Sequence, residues 1–261
     1  MSLVLRGLLV GLLGATLSPA MLVAQVPKPS PFRVDTDIYL DDTKPPIKRT
    51  LTLFSEGVYY DFEETESGQI TVVDPGRNRI ILLNKNRKVK TVLDTKQIQL
   101  MVANARVQAD AKYASISKSE FVKTPYGKEE AVVQNDFMEY RATIQQPSQP
   151  DMAKQYAEFA DWSARLNAIY QPKLPPYLRL DLNRLIAERQ VLPSEVKRIT
   201  RQGGRQMEAS CRLIPVWQLS QDDLVKIARC GEMLAVFNDV TIEEYWSPSV
   251  TKASAEMPIK R

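Results

Sequence analysis

From Phe32 to Leu93 the chain alternates apolar and polar residues with a period of two, broken only by short turn sequences. Half-buried β-strands carry that pattern, because successive side chains point to opposite faces. Phe32, Val34, Ile38 and Leu40 alternate with Arg33, Asp35, Asp37 and Asp41. Leu51 and Leu53 alternate with Thr50 and Thr52, and Val58, Tyr60 and Phe62 follow a tight Ser55-Glu56-Gly57 turn. Ile70 and Val72 precede Asp74-Pro75-Gly76-Arg77, where Pro fixes φ and Gly relaxes the chain. Ile80 to Leu83 is apolar at every position, as a central strand covered on both faces would be. Asn84 to Arg87 is a further turn, and Val89, Thr91 and Leu93 end the run. Six strands joined by short turns predict an antiparallel meander over residues 32–93.

Helical signals follow. Asp94 and Gln97 have capping-box spacing, and Ile98, Met101, Val102, Ala105 and Ala109 then share one helical face. Residues 129–144 return to strand character, and residues 151–189 are helical with a proline break at 172–176. Gly203-Gly204 between two strand-like runs reads as a hairpin. A last helix begins after Ser220, with Asp223 at its third position and Leu224, Ile227, Ala228 and Leu234 inward, and residues 236–246 read as a final strand. The expected fold is α+β: a curved antiparallel β-meander, or half-barrel, packed by helices on one face, in one domain over residues 32–246.

The termini suggest export. Residues 1–24 have one basic residue, Arg6, then an apolar run and small residues, the layout of a signal peptide cut after Ala24 or Ala20. A retained membrane anchor is the alternative reading of the same stretch. Residues 25–31 hold three prolines in seven positions and read as a linker, and residues 247–261 as a disordered tail. No later stretch is long and apolar enough to span a membrane, and no Asn-x-Ser/Thr acceptor occurs. The expected location is periplasmic or secreted. In an oxidising compartment the two cysteines, Cys211 and Cys230, would pair in a disulfide; two buried free thiols are the alternative.

Composition removes several chemistries. The chain has no His and two Cys, which excludes His-based triads, His metal sites and multi-thiolate clusters. A net charge of +4 over 261 residues is too mild to indicate nucleic-acid binding. Ser115 and Lys118 match S-x-x-K by letter, but the partner motifs of that acyl-enzyme chemistry are missing. Two acidic clusters, Asp35, Asp37, Asp41 and Asp42, and Asp61, Glu63, Glu64 and Glu66, read as solvated faces. Arg77, Arg79, Lys85, Arg87, Lys88 and Lys90 read as charged turns that protect sheet edges, or as a patch for anionic partners. No nucleotide-loop or metalloprotease pattern is present, so no cofactor, no metal and no catalytic residue are expected.

The run LTLFSEGVYYDF followed by ITVVDPGRNRIILLNKNRKVKTVL resembles the exported LolA/LolB-like lipoprotein-carrier superfamily. The features that carry the resemblance are Phe54-Ser55-x-Gly57-x-x-Tyr60-Asp61, the Val73-Asp74-Pro75 turn, Ile80 to Leu83, and the later hairpin from Leu192-Pro193 through Gly203-Gly204. The resemblance implies a half-barrel closed by helices and an apolar groove for acyl chains, with no catalytic residues. On that basis the expected function is a non-catalytic envelope protein that binds a lipid, an acyl chain or a lipoprotein in the sheet's concavity. The expected groove residues are Leu53, Val58, Tyr60, Phe62, Ile70, Val72 and Leu82, with Met101 from the covering helix. A structural or adaptor protein that binds other envelope proteins through the basic hairpins and the C-terminal tail is the second reading, and a hydrolase the third.

Overall fold

The computed structural model describes residues 28–41, 43–108, 115–170 and 175–247. The expected signal peptide, residues 25–27 of the linker, Asp42, Ala109 and residues 248–261 lie outside the described residues. The meander is present strand for strand: β1 Phe32–Leu40, β2 Lys48–Ser55, β3 Val58–Glu63, β4 Gln69–Asp74, β5 Arg79–Asn84 and β6 Val89–Asp94. Its turns follow from their residues. Glu56 and Gly57 have φ of 52° and 77°, the mirror-image geometry that joins twisted strands in a two-residue hairpin. Asp74 accepts a hydrogen bond from the Arg77 amide at 3.2 Å, which closes the Pro75-Gly76 turn.

β6 runs into α1, Thr95–Gln108, where Asp94 Oδ1 accepts from the amides of Lys96 and Gln97 at 2.7 and 3.1 Å. β7 Lys118–Lys123, β8 Glu129–Gln134 and β9 Met138–Gln145 follow, then α2 Pro150–Tyr170 and α3 Tyr177–Glu188. The hairpin of β10 Leu192–Gln202 and β11 Arg205–Val216 turns at Gly203-Gly204. α4, Gln221–Val236, starts on a full capping box between Ser220 and Asp223. The expected strand over 236–246 is shorter than that. β12 is Asn238–Asp239, and Thr241 then caps a short helix, α5, Ile242–Trp246, because Glu244 completes a second capping box.

All the strands join one open sheet in the order β12-β6-β5-β4-β3-β2-β1-β11-β10-β9-β8-β7. It is antiparallel except where β12 pairs with β6. One core cluster joins Ile80 and Leu82 of β5 to Ala131 and Val133 of β8 through α2 and α3. At a strand spacing of about 4.8 Å a flat sheet would hold those strands nearly 40 Å apart. Two helices bridge them because the sheet curls around the helices, so this face is the concave one.

α4 lies on the opposite, outer face. Cys230, Met233, Leu234 and Phe237 pack there against Ile70, Val72, Ile81 and Leu83, forming a second, smaller core. The inward stripe of α4 therefore runs through Asp223, Ile227, Cys230 and Leu234, while Leu224, expected inward, is 45% exposed and Ala228 is exposed.

The expected disulfide is not formed: both cysteines are free thiols. Cys211 sits on β11 opposite Ile38 and Val196 and packs against the concave-face core. Cys230 is fully buried in the outer core, and burial pushes its thiol up to about 12. The sheet itself separates them. Sequence spacing allowed the bridge; the strand-face assignment of Cys211 and the helix-face assignment of Cys230 forbid it.

Candidate functional site

The two faces of the meander differ in chemistry. At the lower end of the concave face, Phe32, Phe54, Tyr59, Val73, Ile80 and Leu93 lie side by side across the strands. α2 covers this row through Phe159, whose ring meets Phe54 and Tyr59 edge-on at 5.7 and 6.4 Å. The next row reads Val34, Thr52, Asp61, Thr71, Leu82 and Thr91. Above it come Thr36, Thr50 and Glu63, and then Ile38 and Lys48. The concave wall thus passes from aromatic and aliphatic to threonine-rich and charged within three rows.

Helix side chains cover this upper part only partly, with Tyr156 of α2 and Arg179 of α3 reaching toward it. Thr36, Ile38, Thr50, Asp61, Thr71 and Cys211 all keep accessible surface. Asp61 is the titratable centre of the wall. Its carboxylate accepts from the Thr52 hydroxyl at 2.8 Å. Desolvation pushes its pKa up to about 6, against the opposing pull of Thr52, Lys48 and Thr50. The face therefore loses a negative charge as pH falls through that value. Across the concavity, Tyr156 of α2 is buried, and desolvation pushes its phenol up to about 12 against the nearby Arg179 of α3. Arg179 also lies close to Cys211 and to Tyr140 of β9. Burial raises the Cys211 thiol, and Arg179 and Arg198 oppose that rise.

The structure splits the residues expected to line the groove. Leu53, Val58, Tyr60, Phe62, Ile70 and Val72 do share one face, but it is the outer one. Leu53 is fully buried, and the others belong to the core under α4 or pack against it. Leu82 lies on the concave face, between Thr71 and Thr91. Met101 is 54% exposed on α1, whose inward contact is Ile98. Sequence reasoning missed Thr36, Thr50, Thr71 and Arg179 as site residues. It had Asp61 only as part of a solvated acidic cluster. The available signal was the threonine at alternate positions 50, 52, 71 and 91, on strands whose other face was aliphatic.

The remaining motifs are taken up structurally. Ser115 and Ser117 lie in extended chain leading into β7, and Ser117 donates to the Gln134 carbonyl, so Lys118 is not one helical turn from a nucleophile. The basic hairpin residues are largely engaged within the fold. Arg77 and Arg79 bind Asp74. Arg87 donates to the carbonyls of Glu244, Tyr245 and Ser247, and Lys90 to that of Leu234, so both anchor helix C-termini. In the acidic clusters, Asp35 binds Arg33, Asp37 binds Arg49 and Glu63 binds Lys48.

A cleft of about 730 Å³ opens where the linker enters the fold, bordered by Ser30, Gly57, Asp74, Asp151 and Gln155. Asp151 accepts from the amide and hydroxyl of Ser30 at 2.6 and 2.9 Å, and Gln155 donates to the Ser30 carbonyl. The last linker residues are therefore docked against the start of α2. No protein-family model matches this chain. No curated protein matches it either. Among the described residues, no helix is long and apolar enough to cross a membrane.

Proposed function

We propose that this protein is an exported, non-catalytic carrier that holds a lipid or acylated ligand against the concave face of its sheet. The observation that supports this reading is the partly accessible, polar upper part of that face. Thr36, Thr50, Asp61 and Thr71 keep accessible surface in the middle of a sheet that wraps two helices. Here the polar rows suit a head group, and the partly accessible Ile38 and Ile169 suit hydrocarbon. Val58, Tyr60, Phe62, Ile70 and Val72 of the outer face play no part in this reading, because they pack in the core under α4. The adaptor reading loses its main support for the same kind of reason, since Arg87 and Lys90 are spent on helix carbonyls.

The test is native mass spectrometry of the mature chain purified from the cell envelope without detergent, paired with solvent extraction. The expected result is an added mass of lipid size that is lost on denaturation, on a chain shortened at Ala24 or Ala20. The bare chain mass, with no extractable lipid, would overturn the carrier reading. An unshortened chain would overturn the cleaved signal peptide and favour the retained anchor.

A further inference from the structure

Two guanidinium groups on the concave face lack an acidic partner. Arg179 projects from α3 beside Tyr156, Cys211 and Tyr140, and no carboxylate lies within ion-pair distance among the described residues. Arg198 of β10 is in register with Tyr140 on one side and Ala209 on the other, two residues beyond Val196 of the concave-face core. Its Nε is buried and has no hydrogen-bond partner. Neighbouring cations are treated differently: Lys48 has Glu63, Arg141 has Glu130 and Glu139, and Arg201 has Glu139. Asp61 is held by Thr52 and lies nearer Lys48.

Enclosed cations without a counter-charge cost free energy, and an N–H left without an acceptor adds to that cost. A bound anion would remove both. We propose that Arg179 and Arg198 form an anion subsite within the concave face, which recognises the phosphoryl group of an anionic lipid head group. Guanidinium suits this role because its planar fork donates two parallel hydrogen bonds to one oxyanion. The Tyr156 and Tyr140 hydroxyls lie alongside as further donors. The inference rests on the carrier reading, because it names the class of ligand that the same face would hold.

The experiment measures uptake of phosphatidylglycerol and of diacylglycerol, which lacks the phosphoryl group, from vesicles into soluble complex by the full mature chain, with inorganic phosphate binding measured separately. The wild-type chain is expected to prefer phosphatidylglycerol by about tenfold or more, the scale of one charge-assisted contact. Arg179→Gln and Arg198→Gln should each remove most of that preference. Arg212→Gln, which deletes an exposed cation on the outer side of β11, should retain it, so a loss through net charge alone is recognisable. Unchanged melting temperatures confirm that the variants fold. Equal uptake of both lipids by the wild type would overturn the subsite and leave the carrier reading standing. So would a preference that survives both arginine changes. Phosphate binding that needs Arg179, with no lipid uptake, would uphold the subsite and overturn the carrier reading. Binding of none of the three ligands would overturn both.

Discussion

Phe54→Ala is expected to lower the free energy of unfolding by about 3–5 kcal/mol, the range for removing a fully buried aromatic side chain. Phe54 has no exposed surface. Its ring stacks on Phe32 with centroids 4.1 Å apart and planes 7° from parallel. Tyr59 lies 5.2 Å away and Phe159 of α2 meets it edge-on at 5.7 Å. One ring thus ties β1, β2, β3 and α2 together. The loss combines lost transfer free energy with a cavity that stacked neighbours cannot easily fill. Urea denaturation followed by tryptophan fluorescence measures it, and Phe54→Leu should cost less because most of the volume stays. A loss below about 1 kcal/mol for the alanine variant would remove Phe54 from the centre of the core.

Asp223→Ala is expected to cost about 2–4 kcal/mol, for a different reason. Asp223 is fully buried at the third position of α4. Its carboxylate accepts from the Ser220 amide at 2.9 Å and hydroxyl at 2.8 Å, and from Arg33 of β1 at 3.0 Å. It therefore caps its own helix and docks that helix to the sheet. Burial alone would raise its pKa, but the Ser220 donors and Arg33 overcome that and hold the group below the usual carboxylate range. A carboxylate depressed in the folded state contributes stability above its unfolded pKa of about 3.9 and loses it as pH falls through the folded value. The gap between wild type and Asp223→Ala should accordingly be full at pH 7 and close progressively below about pH 4. Asp223→Asn keeps an acceptor for Ser220 but loses the charge opposite Arg33, so it should fall between the two. A gap independent of pH would show that packing, not charge, carries the effect.

These two sites mark what could be read from the sequence and what could not. The meander was legible because its turn residues and period-two alternation are local signals. Glu56-Gly57, Pro75-Gly76 and Gly203-Gly204 each sit at a turn in the fold. The capping box at Ser220 and Asp223 was legible for the same reason. Alternation assigns residues to two faces, however, and does not say which face curves inward. Ile70, Val72, Tyr60 and Phe62 made the more apolar face, so hydrophobicity alone assigned them to the groove. The structure gives that face to α4, a helix more than a hundred residues later in the chain. Cys230 shows the same limit. At helical spacing it belongs to the inward stripe with Ile227 and Leu234, yet its chemistry suggested a bridge. The polar wall of the concave face escaped notice because threonines on an alternating strand read as solvent-facing. Tyr156 and Arg179 could not be joined to Asp61 without knowing that α2 and α3 lie inside the curl.

The most direct test of the central claim is where a bound ligand touches the sheet. A photoreactive amino acid placed at Thr50 or Thr71 probes the concave face, and one at Val92 or Ile214 probes exposed positions of the outer face. Illumination of chain purified with its native ligand, followed by mass spectrometry, locates the contact. Lipid adducts at Thr50 and Thr71 but not at Val92 or Ile214 are the predicted result. Adducts on the outer face alone, or on neither face, would contradict it.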